Sequence, residues 1–221
     1  NAGVASVPLH AAPASTTISA ATGAVWESND NFYFVYQAIE GDFVMEFSLD
    51  EMLNTPKWGK AGIMIRDDLD TSAHMLYLNH MQSEDYLTLN RRETYAGDVD
   101  WIDGKALALP VKLKLQRDGN RIKTYYQTPG NNWTSLKSQT VSFAEQVYVG
   151  IGLTSNDASQ TMQVHTSGLL LDEQVSNQWL TENVGQSKGD YQPGPSIASD
   201  QSRLQIDPVV DVASLAHINR F

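Results

Sequence analysis

The chain has 221 residues, of which 41% are hydrophobic and 19% charged, a composition that supports one generous domain with a buried core and does not suit a disordered polymer. Lys and Arg number 15 against 26 Asp and Glu, a formal net charge of -11, so the overall field repels phosphate backbones and anionic membrane surfaces; nucleic acid is not an expected partner. Cysteine is absent, which excludes disulfides, thiolate zinc sites and thiol catalysis, and no window nears the roughly 18 apolar residues of a helix inserted in a membrane.

The opening Asn1-Ala2 reads as a vector remnant, so a secretory signal is expected to have been removed already. Residues 1–17, rich in Ala, Ser, Val and Pro without a period, read as an irregular leader that pairs late or not at all. The body is expected over 18–171. Phe32 to Gln37 is expected as a strand. In Asp42 to Asp50, Phe43, Met45, Phe47 and Leu49 share one face while Val44, Glu46 and Ser48 share the other, the period of a half-buried strand.

The alternation returns in Ala61, Ile63 and Ile65 against Lys60, Gly62, Met64 and Arg66, then in Val111, Leu113 and Leu115 against Lys112, Lys114 and Gln116. Val147, Val149, Ile151 and Leu153 repeat it, opposite Tyr148, Gly150, Gly152 and Thr154. His74 to His80, Asp85 to Arg92, Arg121 to Gln127 and Thr161 to Leu171 complete the expected set. Turn residues separate the runs, most clearly Asp118-Gly119-Asn120. Many short strands without amphipathic helix between them predict an all-β, two-sheet antiparallel jelly-roll sandwich, with about half of each strand buried. Residues 172–221 read as a linker, with Gly189 to Pro195 blocking regular structure, and an extended C-terminal tail docked on the sandwich.

A family resemblance rests on Val25-Trp26-Glu27-Ser28, Asn31 to Gln37, Gly41-Asp42-Phe43 and Trp58 to Arg66, followed by Lys112 to Leu115, Asn120-Arg121, Tyr125-Tyr126, Asn132-Trp133-Thr134 and Val147 to Ser155. This ordered string, from Trp26 to Leu171, resembles the bacterial concanavalin A-like lectin/glucanase modules appended to secreted glycosidases, some of which resemble regulators of enolase. Glu84 to Gly104 is less like that pattern, and the tail has no counterpart in it. The resemblance implies a concanavalin A-like fold and a secreted, periplasmic or cell-surface location. It implies a carbohydrate or polysaccharide partner, alongside neighbouring modules of a larger extracellular protein. Fold alone does not carry function.

Glycoside hydrolysis needs two carboxylates flanking the scissile bond. The jelly-roll glucanases, which the resemblance brings in, carry theirs at alternate positions of one strand; no expected strand here has Glu-x-Asp-x-Glu or Glu-x-Asp-x-x-Glu, so no catalytic residue is assigned. Asp98, Asp100 and Asp103, in an expected loop, and Asp67, Asp68 and Asp70 offer hard oxygen ligands for a structural calcium, against the plainer reading of solvated acidic loops. No other cofactor is expected. His74 and His80 would lie roughly 20 Å apart on one strand, too far to share a metal.

The expected binding set is the face opposite the core. Tyr33, Glu46, Arg66, Tyr86, Asn90, Arg92 and Tyr148 combine flat rings with hydrogen-bonding groups, the mixture that stacks on sugar rings and grips their hydroxyls, and Gly150 and Gly152 leave room above the sheet. Trp101 joins that set, with Trp26, Trp58 and Trp133 in or near loops. For each ring, ordinary packing competes with ligand contact. For Arg66 the competing role is an ion pair with Glu46 or a nearby Asp. The expected function is a non-catalytic carbohydrate-binding or adhesive module. The alternatives are a hydrolase or lyase with a site assembled from several strands, and a structural or protein-interaction spacer.

Overall fold

The computed structural model describes residues 15–172 and the backbone of three later strands. The expected Gly189 to Pro195 linker, most of the leader and the end of the tail lie outside the described residues. Strands are numbered in chain order. The larger sheet runs β12 (Thr134–Thr140), β11 (Arg121–Gln127), β10 (Val111–Asp118), β5 (Phe43–Leu53), β14 (Met162–Asp172), β1 (Ser15–Ala20), β17 (Arg203–Asp207), β16 (Ser196–Asp200). The smaller runs β15 (Leu180–Val184), β4 (Phe32–Glu40), β13 (Gln146–Thr154), β6 (Lys60–Arg66), β7 (Met75–Met81), β8 (Tyr86–Arg92), β9 (Asp100–Ala106). A short hairpin, β2 (Val25–Trp26) and β3 (Asn29–Asp30), stands apart. Pairing is antiparallel except between β1 and β17. The fold is an all-β jelly-roll sandwich, and the helical piece among the described residues is a single 3-10 turn, Gln82–Glu84.

The period-two pattern explains the main core. Phe43, Met45, Phe47 and Leu49 of β5 point between the sheets, and register sets Leu113 opposite Phe47 and Leu115 opposite Met45. Ala61, Ile63 and Ile65 of β6 and Val147, Val149, Ile151 and Leu153 of β13 supply the facing layer. Each such side chain contributes about 1.5–3 kcal/mol by leaving water. Truncating Phe47 to Ala should cost roughly 3–5 kcal/mol, since the cavity adds to the transfer loss.

Half-burial fails on the smaller sheet. All residues of β6 and β7 are buried, on both faces. The cause is a second apolar cluster on the outer side, where Val25 of the hairpin and Val99 pack with Phe32, Phe34, Tyr36, Met64, Met75 and Tyr77. Local alternation cannot register this, because Met64 and Tyr77 occupy what reads as the wet face of each strand.

Other departures fall on edges. Asp98 to Gly104, expected as an acidic loop, overlaps β9, whose residues are exposed or half-buried and so lack an apolar alternation. Pairing begins at Ser15, ahead of the expected body. Of the tail, Leu180–Val184 extends the smaller sheet beside β4, and the β16–β17 hairpin extends the larger beside β1.

Candidate functional site

Sheet register sorts the outer side of the smaller sheet into rows across the strands. Lys60, Met81 and Tyr86 stand opposite one another on β6, β7 and β8 and form one row. The next row is Gly152, Gly62, Asn79, Thr88 and Gly104. Gly150, Met64, Tyr77, Asn90 and Trp101 follow, then Tyr148, Arg66, Met75 and Arg92. The two ends of this surface differ in chemistry.

At the far end Asp30 of the hairpin is the hub. Arg66 donates to its Oδ2 at 2.7 Å, and Arg92 donates to both carboxylate oxygens at 2.7 Å, with all three side chains inaccessible to solvent. Further guanidinium hydrogens go to backbone carbonyls, from Arg66 to Asp68 and Asp70 and from Arg92 to Gly97, Ala73 and Glu27, and Arg66 also donates to Met64 Sδ at 3.6 Å. Burial draws Arg66 below its usual range, and the Asp30 charge opposes that. The cluster ties together the hairpin and the loops after β6 and β8. A buried charge group of this kind costs little only while every member is matched.

The middle row is polar but closed. Asn79 donates to Asn90 Oδ1 at 2.8 Å, Thr88 Oγ donates to Asn79 Oδ1 at 2.8 Å, and all three side chains are buried. Tyr77 donates its hydroxyl to Gly152 O at 2.8 Å, and burial pushes that phenol well above its ordinary range.

The near end is open. Trp101 on edge strand β9 is 52% exposed, yet its indole N–H is held by Asp103 O at 2.6 Å and Tyr86 meets it edge-on, ring centroids 5.3 Å apart. Gly104 makes this possible: a Cβ there would stand 2.7 Å from the Tyr86 ring and 3.0 Å from the indole nitrogen. Across the row, Lys60 places Nζ 5.9 Å from the ring of Trp26, itself 45% exposed. Trp58, also exposed, adopts φ +68, a left-handed conformation that costs a bulky residue about 1–3 kcal/mol. From β6 to β9 the row spans about 14 Å at the usual strand spacing.

The expected binding set is therefore not one surface. Tyr33 faces the main core, because its parity on β4 matches Val35 and Ile39 rather than Phe34. Glu46 lies on the other sheet, paired to Lys114 at 3.0 Å, whose Nζ also sits 3.9 Å from the Trp133 ring. Arg66 and Arg92 are sealed in the Asp30 cluster, so the ion pair foreseen for Arg66 is with Asp30 rather than Glu46. Asn90 is buried in the polar row, and Tyr148 leans edge-on against Tyr36 at 5.6 Å. Tyr86 and Trp101 remain together at the open end.

The acidic candidates also separate. Asp98 and Asp100 are exposed, while Asp103 pairs with Lys137 at 3.3 Å and accepts from the Gly104 amide, so the three do not converge; among the described residues no three His, Asp or Glu side chains are grouped to hold a metal. Asp68 and Asp70 accept from the Asp70 and Ser72 amides, which organises their own loop, while Asp67 accepts from the amide of Ala144, in the segment before β13. The residue sequence reasoning missed is Lys60, noted only as a polar neighbour of core positions. Its signal was a lysine between Gly59 and Ala61, two residues after Trp58.

No protein-family model matches the sequence. No curated protein matches it either. Among solved structures, one of a functionally unknown protein from Saccharomyces cerevisiae is 13% identical, covers 80% of this chain and 95% of that chain, and superposes with a TM-score of 0.61. A carbohydrate-binding module from Bacillus subtilis is 15% identical over 73% of this chain and 96% of that chain, with a TM-score of 0.46. An alginate lyase from Klebsiella pneumoniae is 14% identical over 61% of this chain and 60% of that chain, with a TM-score of 0.43. At these identities the first likeness concerns the fold alone.

Proposed function

We propose that this chain is a concanavalin A-like module, secreted or held at a cell surface, that binds carbohydrate without turning it over, through the open end of its smaller sheet. One observation carries the reading: Trp101 is exposed but immobilised, its N–H satisfied internally and its ring braced by Tyr86 over a glycine. Such a ring contributes little to the protein's own packing and offers a rigid apolar face, which suits stacking on a sugar ring at small entropic cost. Trp26 and Trp58 place two more exposed rings at the same end.

Absence of turnover is supported by the carboxylates. On this face Asp30 is neutralised by two arginines, and Asp103, which neighbours Trp101 on β9 from the opposite side, is engaged by Lys137. Neither is available as the proton donor that glycoside cleavage needs. Titration against a panel of neutral and acidic polysaccharides, with Trp101→Ala in parallel, tests the reading. Measurable affinity weakened by the substitution is the expected result; absence of affinity across the panel overturns it, and turnover of any member overturns its non-catalytic part.

A further inference from the structure

Lys60 is the anomaly of the molecule. It is only 5% exposed, on the outer row between Thr154 of β13 and Met81 of β7, and among the described residues its ammonium makes no hydrogen bond or ion pair. Its named neighbour is the face of Trp26. Asp30 is the carboxylate whose field reaches it, and both oxygens of that group are already taken by Arg66 and Arg92. The consequence shows in its acidity: desolvation draws Lys60 down from 10.5 to about 8, and the Asp30 field only partly offsets that.

An almost buried cation without a counter-ion is a cost the fold could avoid with an apolar chain of equal length. Every other deeply buried charge on this face is matched, as the Asp30 cluster shows. The unmatched charge lies in the row that runs to Tyr86, whose ring meets Trp101 edge-on, with Lys57 adding a second cation whose Nζ is 4.9 Å from the Trp58 ring.

Building on the carbohydrate reading, we propose that the site selects anionic saccharides, with Lys60 receiving a carboxylate or sulfate from one unit of a polymer of which another unit, farther along the same chain, stacks on Trp101. A ligand anion here supplies the missing partner in a partly dehydrated setting, where a point charge interacts far more strongly than in water. The chain's net charge of -11 opposes approach of a polyanion, but beyond a Debye length of about 8 Å that repulsion is largely screened at physiological salt, so contact chemistry decides.

The test compares polygalacturonate, hyaluronan and alginate with their carboxyl-reduced forms, and a sulfated galactan with its desulfated form, on the intact chain and on Lys60→Met and Trp101→Ala. At least one anionic polymer should bind tenfold or more tightly than its neutralised form. Lys60→Met should bring the affinity for the anionic form down to that for its neutralised form, and Trp101→Ala should weaken both. The sulfated and carboxylated arms separate the two anions. Trp101-dependent binding without preference for charge, or a preference that survives Lys60→Met, overturns this proposal and leaves carbohydrate binding standing. No binding to any polymer overturns both.

Discussion

The two ends of the outer surface of the smaller sheet are built from similar materials and reach opposite solutions. Around Asp30, two arginines and a carboxylate vanish from solvent with their hydrogen bonds satisfied by one another and by loop carbonyls. Around Lys60, a single cation is nearly as deeply placed but stands without a partner, beneath exposed rings. The first arrangement holds loops together. The second leaves an interaction open, and an unsatisfied charge beside rigid exposed aromatics is what a binding site looks like before its ligand arrives.

The contrast is easiest to break at Asp30. Replacing it with Ala strands two buried guanidinium groups, and the fold should lose about 3–5 kcal/mol, read as a clear fall in the urea midpoint and in Tm. If stability is unchanged, the cluster is not the clasp described here.

Lys60→Met should move the other way. In the unfolded chain the amine titrates near 10.5 and in the folded one near 8, so folding at neutral pH carries a penalty of about 3 kcal/mol at most for holding the charge. Between these values the unfolded chain keeps a proton the folded chain has lost. Stability owed to Lys60 therefore rises with pH from about 8 to 10.5, and the Met variant should be more stable than the parent at pH 7, with the advantage shrinking through that window. Denaturant melts of both proteins at several pH values measure it.

Gly104→Ala brings a methyl group to 2.7 Å from the Tyr86 ring and 2.8 Å from Leu87 O, so it should cost about 1–3 kcal/mol and displace the braced indole. Near-ultraviolet circular dichroism should report the displaced rings. Smallest in stability is Trp101→Ala, within about 1 kcal/mol because the ring is half in solvent, yet its effect on affinity should exceed that. A variant that loses stability without losing affinity would mark Trp101 as a packing residue.

Much of the sandwich was legible in advance because a half-buried strand writes its environment into alternate residues. Phe43 to Leu49, Ala61 to Ile65 and Val147 to Leu153 face the core as their alternation requires. The edge strand β9 and the hairpin at Val25 carry no such record, since their residues are mostly exposed or few. The binding set was only partly legible for a related reason. Parity along a strand states which residues share a face, but Tyr33 and Tyr86 lie on different strands, and their relative facing depends on where each strand starts in the register.

What composition and alternation determined by themselves is the layered all-β architecture, because the apolar face of a strand such as β5 or β10 recurs at every second side chain whatever its partners are. What only the tertiary structure decided is the fate of the opposite face. A hairpin distant in sequence folds over that face and carries Asp30 to Arg66 and Arg92, completing their charges, while Lys60 receives only the field of that carboxylate and no contact with it. Charge compensation acts over a few ångströms between segments far apart along the chain, so no local pattern could say which of these three cations would be left for a ligand.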